Sequence, residues 1–159
     1  MSIENVREYL KAYGKDGCIL EFSESSATVE LAARAAGVIP AKIAKSMSFL
    51  TREGPVIIVA AGDARIDNKK YKGVFGEKAK MLSPEDALAY TGHAVGGVCP
   101  FALPENVRVY LDVSLKRFAT VFPACGSSNS AIELTCDELF TISRAIDWVD
   151  VGSAWDPTL

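Results

Sequence analysis

The sequence contains no long hydrophobic run, and this absence argues against a membrane-spanning helix. Every apolar stretch falls well short of the roughly 18 residues that such a helix requires. Residues 1–7 mix opposite charges and are not a basic segment followed by an apolar one, so no secretory signal is expected. We therefore expect a soluble protein of the cytoplasm.

Histidine is scarce, and the cysteines are scattered. The one histidine is His93, and the four cysteines, which include no C-x-x-C pair, are Cys18, Cys99, Cys125 and Cys136. No spacing among them is typical of a zinc site, so neither a metal nor a cofactor is predicted. Cys18 and Cys136 are expected to be small core residues in the reduced state.

An excess of positive charge is also missing. The net charge of −3 and the pI near 5.2 argue against a protein that coats nucleic acid indiscriminately. Residues 65–80 depart from this balance, because they carry six basic residues against two acidic ones. This basic segment could contact a phosphate backbone. The alternative is a solvated face that flanks a short helix.

The composition fits one globular domain over residues 1–159. Of the residues, 49% are hydrophobic and 23% are charged, as in soluble folded proteins. A chain of this length should bury roughly 68–70% of its unfolded surface, which is enough for one core without metal or disulfide cross-links.

Helix and strand signals alternate along the chain. Helices are predicted at residues 2–13, from a cap at Ser26 or Thr28 to residue 36, briefly at Pro40, at 84–91, and after the capping box Thr135–Glu138. Strands are predicted at residues 18–22, 45–51, 56–61, 107–112, 121–125 and 131–135, the second and third forming a hairpin and the last two a pair. The order indicates an α+β fold, a mixed and mostly antiparallel sheet flanked by helices.

Lys45 is the first candidate site residue. It stands at the entrance of a strand in which Ser46 and Ser48 alternate with Met47 and Phe49. A lysine at such a position either extends its ammonium into solvent or binds an anion. Its ammonium is a compact charge with three hydrogen-bond donors.

The loop Gly96–Pro100 is the second candidate. Its two adjacent glycines let a ligand approach main-chain N–H and C=O groups closely, and Pro100 makes the end of the loop rigid. Such a loop can bind an amine through carbonyls and donate N–H groups to a carbonyl oxygen. The alternative is a plain tight turn after the helix at 84–91.

The order and spacing of these pieces resemble the YbaK/EbsC-type family, the free-standing relatives of the editing domain of prolyl-tRNA synthetase. The matching segments are Ser26–Glu30, Ala35–Val38, the Lys45 strand, Val59–Asp67, Gly96–Pro100 and Ala131–Leu134. Proteins of that family hydrolyse the ester of wrongly charged tRNA. The resemblance implies the same α+β fold.

The resemblance also implies roles for individual residues. Lys45 would engage the terminal adenosine phosphate and stabilise the reacting ester, and Gly96 and Gly97 would take part in catalysis. The substrate-binding residues would be Val98, Cys99 and Pro100 in the loop, together with Phe22, Ser46, Met47, Gly126 and Ala131.

One segment departs from the family pattern. Relatives have a glycine followed by basic residues and an acidic residue just before Ile-Glu-Leu. This sequence keeps Gly126 but continues with Ser127, Ser128 and Asn129, and it has Ala131 before Ile132. The change removes positive charge that could hold the tRNA end, and it weakens any assignment to the branch specific for cysteinyl-tRNA(Pro).

A conventional hydrolase places a nucleophile beside a base. A Cys99–His93–Asp112 arrangement can be written down, but no motif supports it, and there is no G-x-S-x-G motif. His93 follows a helix stop and is predicted to lie at the surface. This scarcity favours attack on the ester by water or by a group of the substrate.

The function predicted from the sequence is a trans-editing aminoacyl-tRNA deacylase. Its substrate would be the acceptor end of a mischarged tRNA, with tRNA(Pro) carrying alanine or cysteine favoured, and prolyl-tRNA synthetase is a candidate partner. One alternative is a non-catalytic module that binds an aminoacyl end, a nucleotide or a synthetase. A thiol hydrolase that uses Cys99 is less favoured.

Overall fold

A computed structural model describes residues 2–159, which form five α-helices and ten strands. The helices are α1 (Ser2–Lys11), α2 (Val29–Ala36), α3 (Asn68–Phe75), α4 (Pro84–Thr91) and α5 (Cys136–Ile142). The strands are β1 (Leu20–Glu21), β2 (Ile43–Thr51), β3 (Gly54–Ala61), β4 (Arg65–Ile66), β5 (Arg108–Asp112), β6 (Thr120–Pro123), β7 (Ser130–Ala131), β8 (Leu134–Thr135), β9 (Asp147–Val149) and β10 (Gly152–Ser153). Short 3₁₀ helices lie at Asp16–Cys18, Pro40–Lys42 and Val113–Arg117.

Six strands form the main sheet, in the order β8-β6-β2-β3-β5-β9. The β2–β3 hairpin at its centre is antiparallel, as is β6–β8, whereas β2–β6, β3–β5 and β5–β9 are parallel. Two small antiparallel sheets, β1–β7 and β4–β10, complete the seven pairings between these strands. Four of the seven pairings are antiparallel, whereas three of the five within the six-stranded sheet are parallel. The predicted α+β fold with a mixed sheet is confirmed.

Local capping explains where the predicted helices begin and end. The Thr28 side chain accepts a hydrogen bond from the Leu31 N–H at 3.2 Å, and Gly37 ends α2 with a φ of 71°. At α5 the predicted capping box is present, with hydrogen bonds of 3.1 and 2.9 Å between Thr135 and Glu138. These short-range bonds satisfy main-chain groups that the first and last turns leave free.

The main sheet carries packed side chains on both faces. On one face, Ile57 and Val59 of β3 belong to a cluster with buried residues of α1 and α5. On the other face, Val56 and Ile58 pack with Tyr71 of α3. Because β3 is covered on both sides, its sequence is uniformly apolar rather than alternating.

The structure contains elements that the sequence patterns did not predict. Strands β4, β9 and β10 span two or three residues each and depend on partners far away in the chain.

The basic segment contains α3, capped by Asp67, with Lys69 and Lys72 exposed. Cys18 is exposed at the end of the 3₁₀ helix Asp16–Cys18, none of whose residues is buried, so its predicted place in the core is wrong. Among residues 2–159, no helix is long and apolar enough to cross a membrane.

Candidate functional site

A cavity of about 360 Å³ opens beside β2. Its wall is formed by the start of α2 and the residues before it, β2, α4 with its flanking segments, and parts of β6 and β7. Most of the wall is apolar, for example at Val29, Ile43 and Phe122. Small hydroxyl residues interrupt it: Ser26, Thr28, Ser46, Ser48 and Ser130.

Strand β2 has an incomplete edge at this cavity. On one side it is paired with β3 along most of its length. On the other side, β6 pairs only with Ile43 and Ala44, and the segment around Met81 joins at Ser48 and beyond. In the described part of the chain, no strand pairs with residues 45–47 on that side, and these residues line the cavity. An open edge can present main-chain N–H and C=O groups to a ligand.

Lys45 lies in this gap and is half-buried. Its ammonium donates hydrogen bonds to the carbonyl oxygens of Ala64 and, at 3.4 Å, of Gly62. Burial lowers the pKa of Lys45, and this effect outweighs the nearby Asp63 carboxylate, which raises the pKa. The two carbonyls tie the ammonium to the turn at residues 62–64.

Gly62 is a residue that the sequence did not single out as part of the site. A Cβ there would lie 2.1 Å from the Pro40 carbonyl oxygen and 2.7 Å from a Val29 methyl carbon. Only a glycine therefore fits the close approach between the end of β3 and the segment before β2. The position of the carbonyl that binds Lys45 depends on this approach.

The predicted loop lies at the other end of the cavity. Gly96 lines the cavity and has a φ of 90°, a conformation that favours glycine. Gly97 instead packs against the main chain of the neighbouring loop, because a Cβ there would lie 2.8 Å from the Gly126 carbonyl carbon and the Ser127 nitrogen. Val98 returns to the cavity wall.

His93 is buried, so its predicted surface position is wrong. It is 1% exposed, its Nε2–H donates to the Phe101 carbonyl at 2.7 Å, and its Nδ1 accepts from the Ser2 hydroxyl. These bonds and the packing of α1 hold the imidazole inside the protein. Burial lowers the pKa of His93, which therefore favours the neutral form.

Cys99 lies against this histidine but not in the cavity. Its Sγ is 3.5 Å from His93 Nε2, and the residue is fully buried. Burial raises the pKa of the Cys99 thiol to about 12, so the thiolate is strongly disfavoured. Asp112 does not join the pair, because its carboxylate accepts hydrogen bonds from the N–H groups of Ser114, Val151 and Gly152.

The structure brings together six of the predicted site residues in the cavity wall: Lys45, Ser46, Met47, Gly96, Val98 and Ala131. Five others do not line it: Phe22, Gly97, Cys99, Pro100 and Gly126. Phe22 and Gly126 lie outside the wall. The Phe22 N–H donates a hydrogen bond to the Asn129 carbonyl at 2.8 Å, and Gly126 packs against Gly97. Pro100 faces a second cavity. The functional roles of all eleven stay predictions.

Sequence reasoning missed several residues of the wall. Ser26 and Thr28 belong to the segment Ser26–Glu30 that resembles the family, but their pattern indicates only a helix cap. Met81 and Val95 are apolar residues of the wall, each 63% exposed, and nothing in their local sequence pattern indicates that they belong to a site.

Among residues 2–159, no group of three or more His, Cys, Asp or Glu side chains is placed to hold a metal ion.

Comparisons with known proteins agree on one kind of domain. A family model described as "Aminoacyl-tRNA editing domain" matches residues 23–142, which include every residue of the cavity wall. The chain is 55% identical to the uncharacterized protein YwhH of Bacillus subtilis (strain 168), over 98% of this chain and 100% of YwhH.

Two further proteins are similar and carry functional names. EbsC of Enterococcus faecalis (strain ATCC 700802 / V583), named provisionally as a Cys-tRNA(Pro)/Cys-tRNA(Cys) deacylase, is 26% identical over 77% of this chain and 76% of its own. A crystal structure described, also provisionally, as a trans-editing enzyme for prolyl tRNA synthetase has a TM-score of 0.86 and 27% identity. That match covers 96% of this chain and 97% of the other.

Proposed function

The chain belongs to the aminoacyl-tRNA editing domain family, and from this membership we propose that it is a trans-acting deacylase of mischarged tRNA. The reaction is hydrolysis of the ester that joins a small amino acid to the terminal ribose hydroxyl. The substrate we favour is tRNA(Pro) charged with alanine or cysteine. The provisional name of EbsC supports cysteine on tRNA(Pro), and that of the structural relative supports a link to prolyl-tRNA synthetase.

One observation carries the proposal. Within the described chain, Lys45 is the only ionisable residue in the cavity wall, which otherwise consists of apolar, glycine and small hydroxyl residues. A positive charge in such surroundings is weakly screened. It suits the anionic phosphate of a terminal nucleotide and the negative charge that develops on the carbonyl oxygen during ester hydrolysis.

Among the described residues, the wall offers hydroxyl groups but no carboxylate or imidazole base that could activate one of them as a nucleophile. It contains no Asp, Glu, His or Cys among the described residues, and the buried thiol of Cys99 lies outside it. Water is therefore the attacking group, or a group of the substrate assists it. The water oxygen bonds to the carbonyl carbon, the bond to the ribose oxygen breaks, and a proton of the water passes to that oxygen.

The remaining wall residues position the ester. Gly96 and the open edge of β2 at residues 45–47 place main-chain groups beside the ligand. Fixed N–H groups of this kind stabilise an oxyanion without the cost of reorganising solvent. A pocket discriminates between acyl groups by only about 1–3 kcal/mol per methylene, which is why a separate editing step has value.

The basic segment at residues 65–80 supports binding of the tRNA. Arg65 is exposed and follows Ala64, whose carbonyl oxygen accepts a hydrogen bond from Lys45, so the segment begins beside the turn that holds this lysine. Lys69 and Lys72 extend the exposed positive surface along α3. We assign these three side chains to phosphates of the acceptor stem. Prolyl-tRNA synthetase is the partner that would deliver the tRNA.

The test is deacylation across a panel of mischarged tRNAs that includes alanyl- and cysteinyl-tRNA(Pro). We expect turnover above the uncatalysed rate with at least one tRNA(Pro) ester and none with correctly charged prolyl-tRNA(Pro). Tight binding of the esters without turnover would instead establish the non-catalytic module. That outcome would overturn the deacylase.

A further inference from the structure

Two hydroxyl groups in the cavity wall have no hydrogen-bond partner. Ser26 Oγ and Ser46 Oγ are buried, and neither meets a donor or an acceptor among the described residues. Both serines line the cavity, and Ser26 is 8% exposed. Buried hydroxyls are normally bonded, and leaving one unbonded is unfavourable. The pair therefore points to a polar group that occupies the cavity when a ligand binds.

Other hydroxyls of the wall already have structural partners. Thr28 Oγ1 accepts a hydrogen bond from the Leu31 N–H at the start of α2. Ser130 Oγ is 2.6 Å from Ser127 Oγ. The lack of a hydrogen-bond partner at Ser26 and Ser46 is thus not shared by every hydroxyl of the cavity wall.

Both serines are held on fixed main chain. The Ser26 N–H donates to the Ser128 carbonyl at 2.6 Å, which ties the segment before α2 to the loop at residues 126–131. Ser46 stands in the middle of β2, opposite Val59 of β3. Both oxygens are closed to solvent in this structure, and rotation about one side-chain bond is enough to turn either hydroxyl toward a ligand in the cavity.

The chemistry of the pair selects its ligand. A serine hydroxyl donates one hydrogen bond and accepts others, so each of the two can either donate to or accept from a ligand hydroxyl. An anionic phosphate needs donors only and is served by Lys45, whereas a methyl group would leave both serines unbonded. We propose that Ser26 and Ser46 recognise a side-chain hydroxyl of the aminoacyl group.

This inference rests on the proposed deacylase function and changes the amino acid that we favour as its acyl group. Among small amino acids it places those that carry a hydroxyl, serine and threonine, ahead of apolar ones of the same size. A site that bonds a substrate hydroxyl disfavours the analogue without it much more strongly than an apolar pocket can distinguish one methylene.

The experiment compares two isosteric esters on the same tRNA(Pro), seryl and 2-aminobutyryl, which differ by a hydroxyl in place of a methyl group. The specificity constant kcat/KM is measured for each with the wild-type chain, with alanyl-tRNA(Pro) as a reference for activity. We expect the seryl ester to be preferred by about tenfold or more. A wild-type chain that hydrolyses the 2-aminobutyryl ester equally well or better would overturn the inference and leave the deacylase intact.

Variants then test the two hydroxyls. Ser26→Ala and Ser46→Ala should each lower the seryl preference by about tenfold, and their melting temperatures should equal or exceed that of the wild type. The control, Ser23→Ala, alters an exposed serine outside the wall and should keep the preference. A preference that survives both cavity substitutions would overturn the inference. Failure to hydrolyse any ester, alanyl included, would overturn the proposed function itself.

Discussion

Asp63 and Arg117 are joined by two hydrogen bonds, of 2.6 and 2.9 Å, in the turn that holds Lys45. The carbonyls on either side of Asp63, those of Gly62 and Ala64, are the ones that accept hydrogen bonds from the Lys45 ammonium. The Arg117 side chain is only 6% exposed, so solvent screens the pair weakly. The pair therefore fixes the turn from which Lys45 is held.

Arg117→Ala should destabilise the fold and reduce activity together. The substitution leaves the Asp63 carboxylate without its charged partner, at an expected cost of about 2–3 kcal/mol in the free energy of unfolding. The measurement is urea unfolding followed by circular dichroism. Arg52→Ala is the control, because its contact with Glu77 is 3.8 Å long and the Arg52 side chain is 81% exposed, so little change is expected. Equal stability of the two variants would contradict the role of the pair.

The same pair predicts a dependence of stability on pH. Burial alone would raise the pKa of Asp63, but hydrogen bonds from Arg117 and from the Asp156 N–H outweigh it and hold the pKa below its ordinary value. The resulting stabilisation is present above the unfolded pKa, about 3.9, and is lost as the pH falls through the folded value. Unfolding free energies measured from about pH 6 to about pH 3 should fall less steeply at the acid end in Arg117→Ala than in wild type. Parallel curves would show that Asp63 does not contribute.

Lys45→Ala should abolish deacylation while the fold stays intact. Among the described residues, Lys45 carries the one positive charge of the cavity wall, and its removal leaves the strand around it paired with β3. Lys45→Arg should not restore full activity, because a planar guanidinium cannot replace a compact ammonium in a confined site. Deacylation rates and thermal melts are compared with those of Lys11→Ala, an exposed lysine of α1. Activity within a few-fold of wild type would exclude the role assigned to Lys45.

Gly97→Ala should impair both folding and turnover. A Cβ at this position would lie 2.8 Å from main-chain atoms of Gly126 and Ser127. Main chain cannot yield as a flexible side chain can, so we expect a loss of about 1–3 kcal/mol in stability. Gly73→Ala, where a Cβ meets nothing within 4 Å, is the matched control. Normal stability together with normal turnover would contradict the observed packing.

Cys99→Ala should retain substantial activity, because the thiol lies outside the cavity and its pKa is raised to about 12 by burial. A thiol-blocking reagent should modify the exposed Cys18 first and leave deacylation largely unchanged. The measurements are turnover and the mass of the modified protein. Loss of several orders of magnitude in a folded Cys99→Ala protein, with a covalent intermediate, would instead identify Cys99 as the nucleophile.

The sequence by itself determined the local structure. The caps at Thr28 and Thr135 and the uniformly apolar run of β3 are features of a few neighbouring residues, so helices α2 and α5 and the β2–β3 hairpin could be predicted. The positions of Lys45 and Gly96 followed from the same local order, and both line the cavity.

Only the tertiary structure decided which groups meet across long separations. The contact between His93 and Ser2, the close packing of Gly97 on Gly126, and the bonds between Asp63 and Arg117 join segments that are distant in the chain. The same is true of the unpartnered hydroxyl of Ser26, which is noticeable only once the residues around it are known. No local pattern encodes such contacts, because they arise when the segments pack around one core and each buried polar group finds a partner or does not.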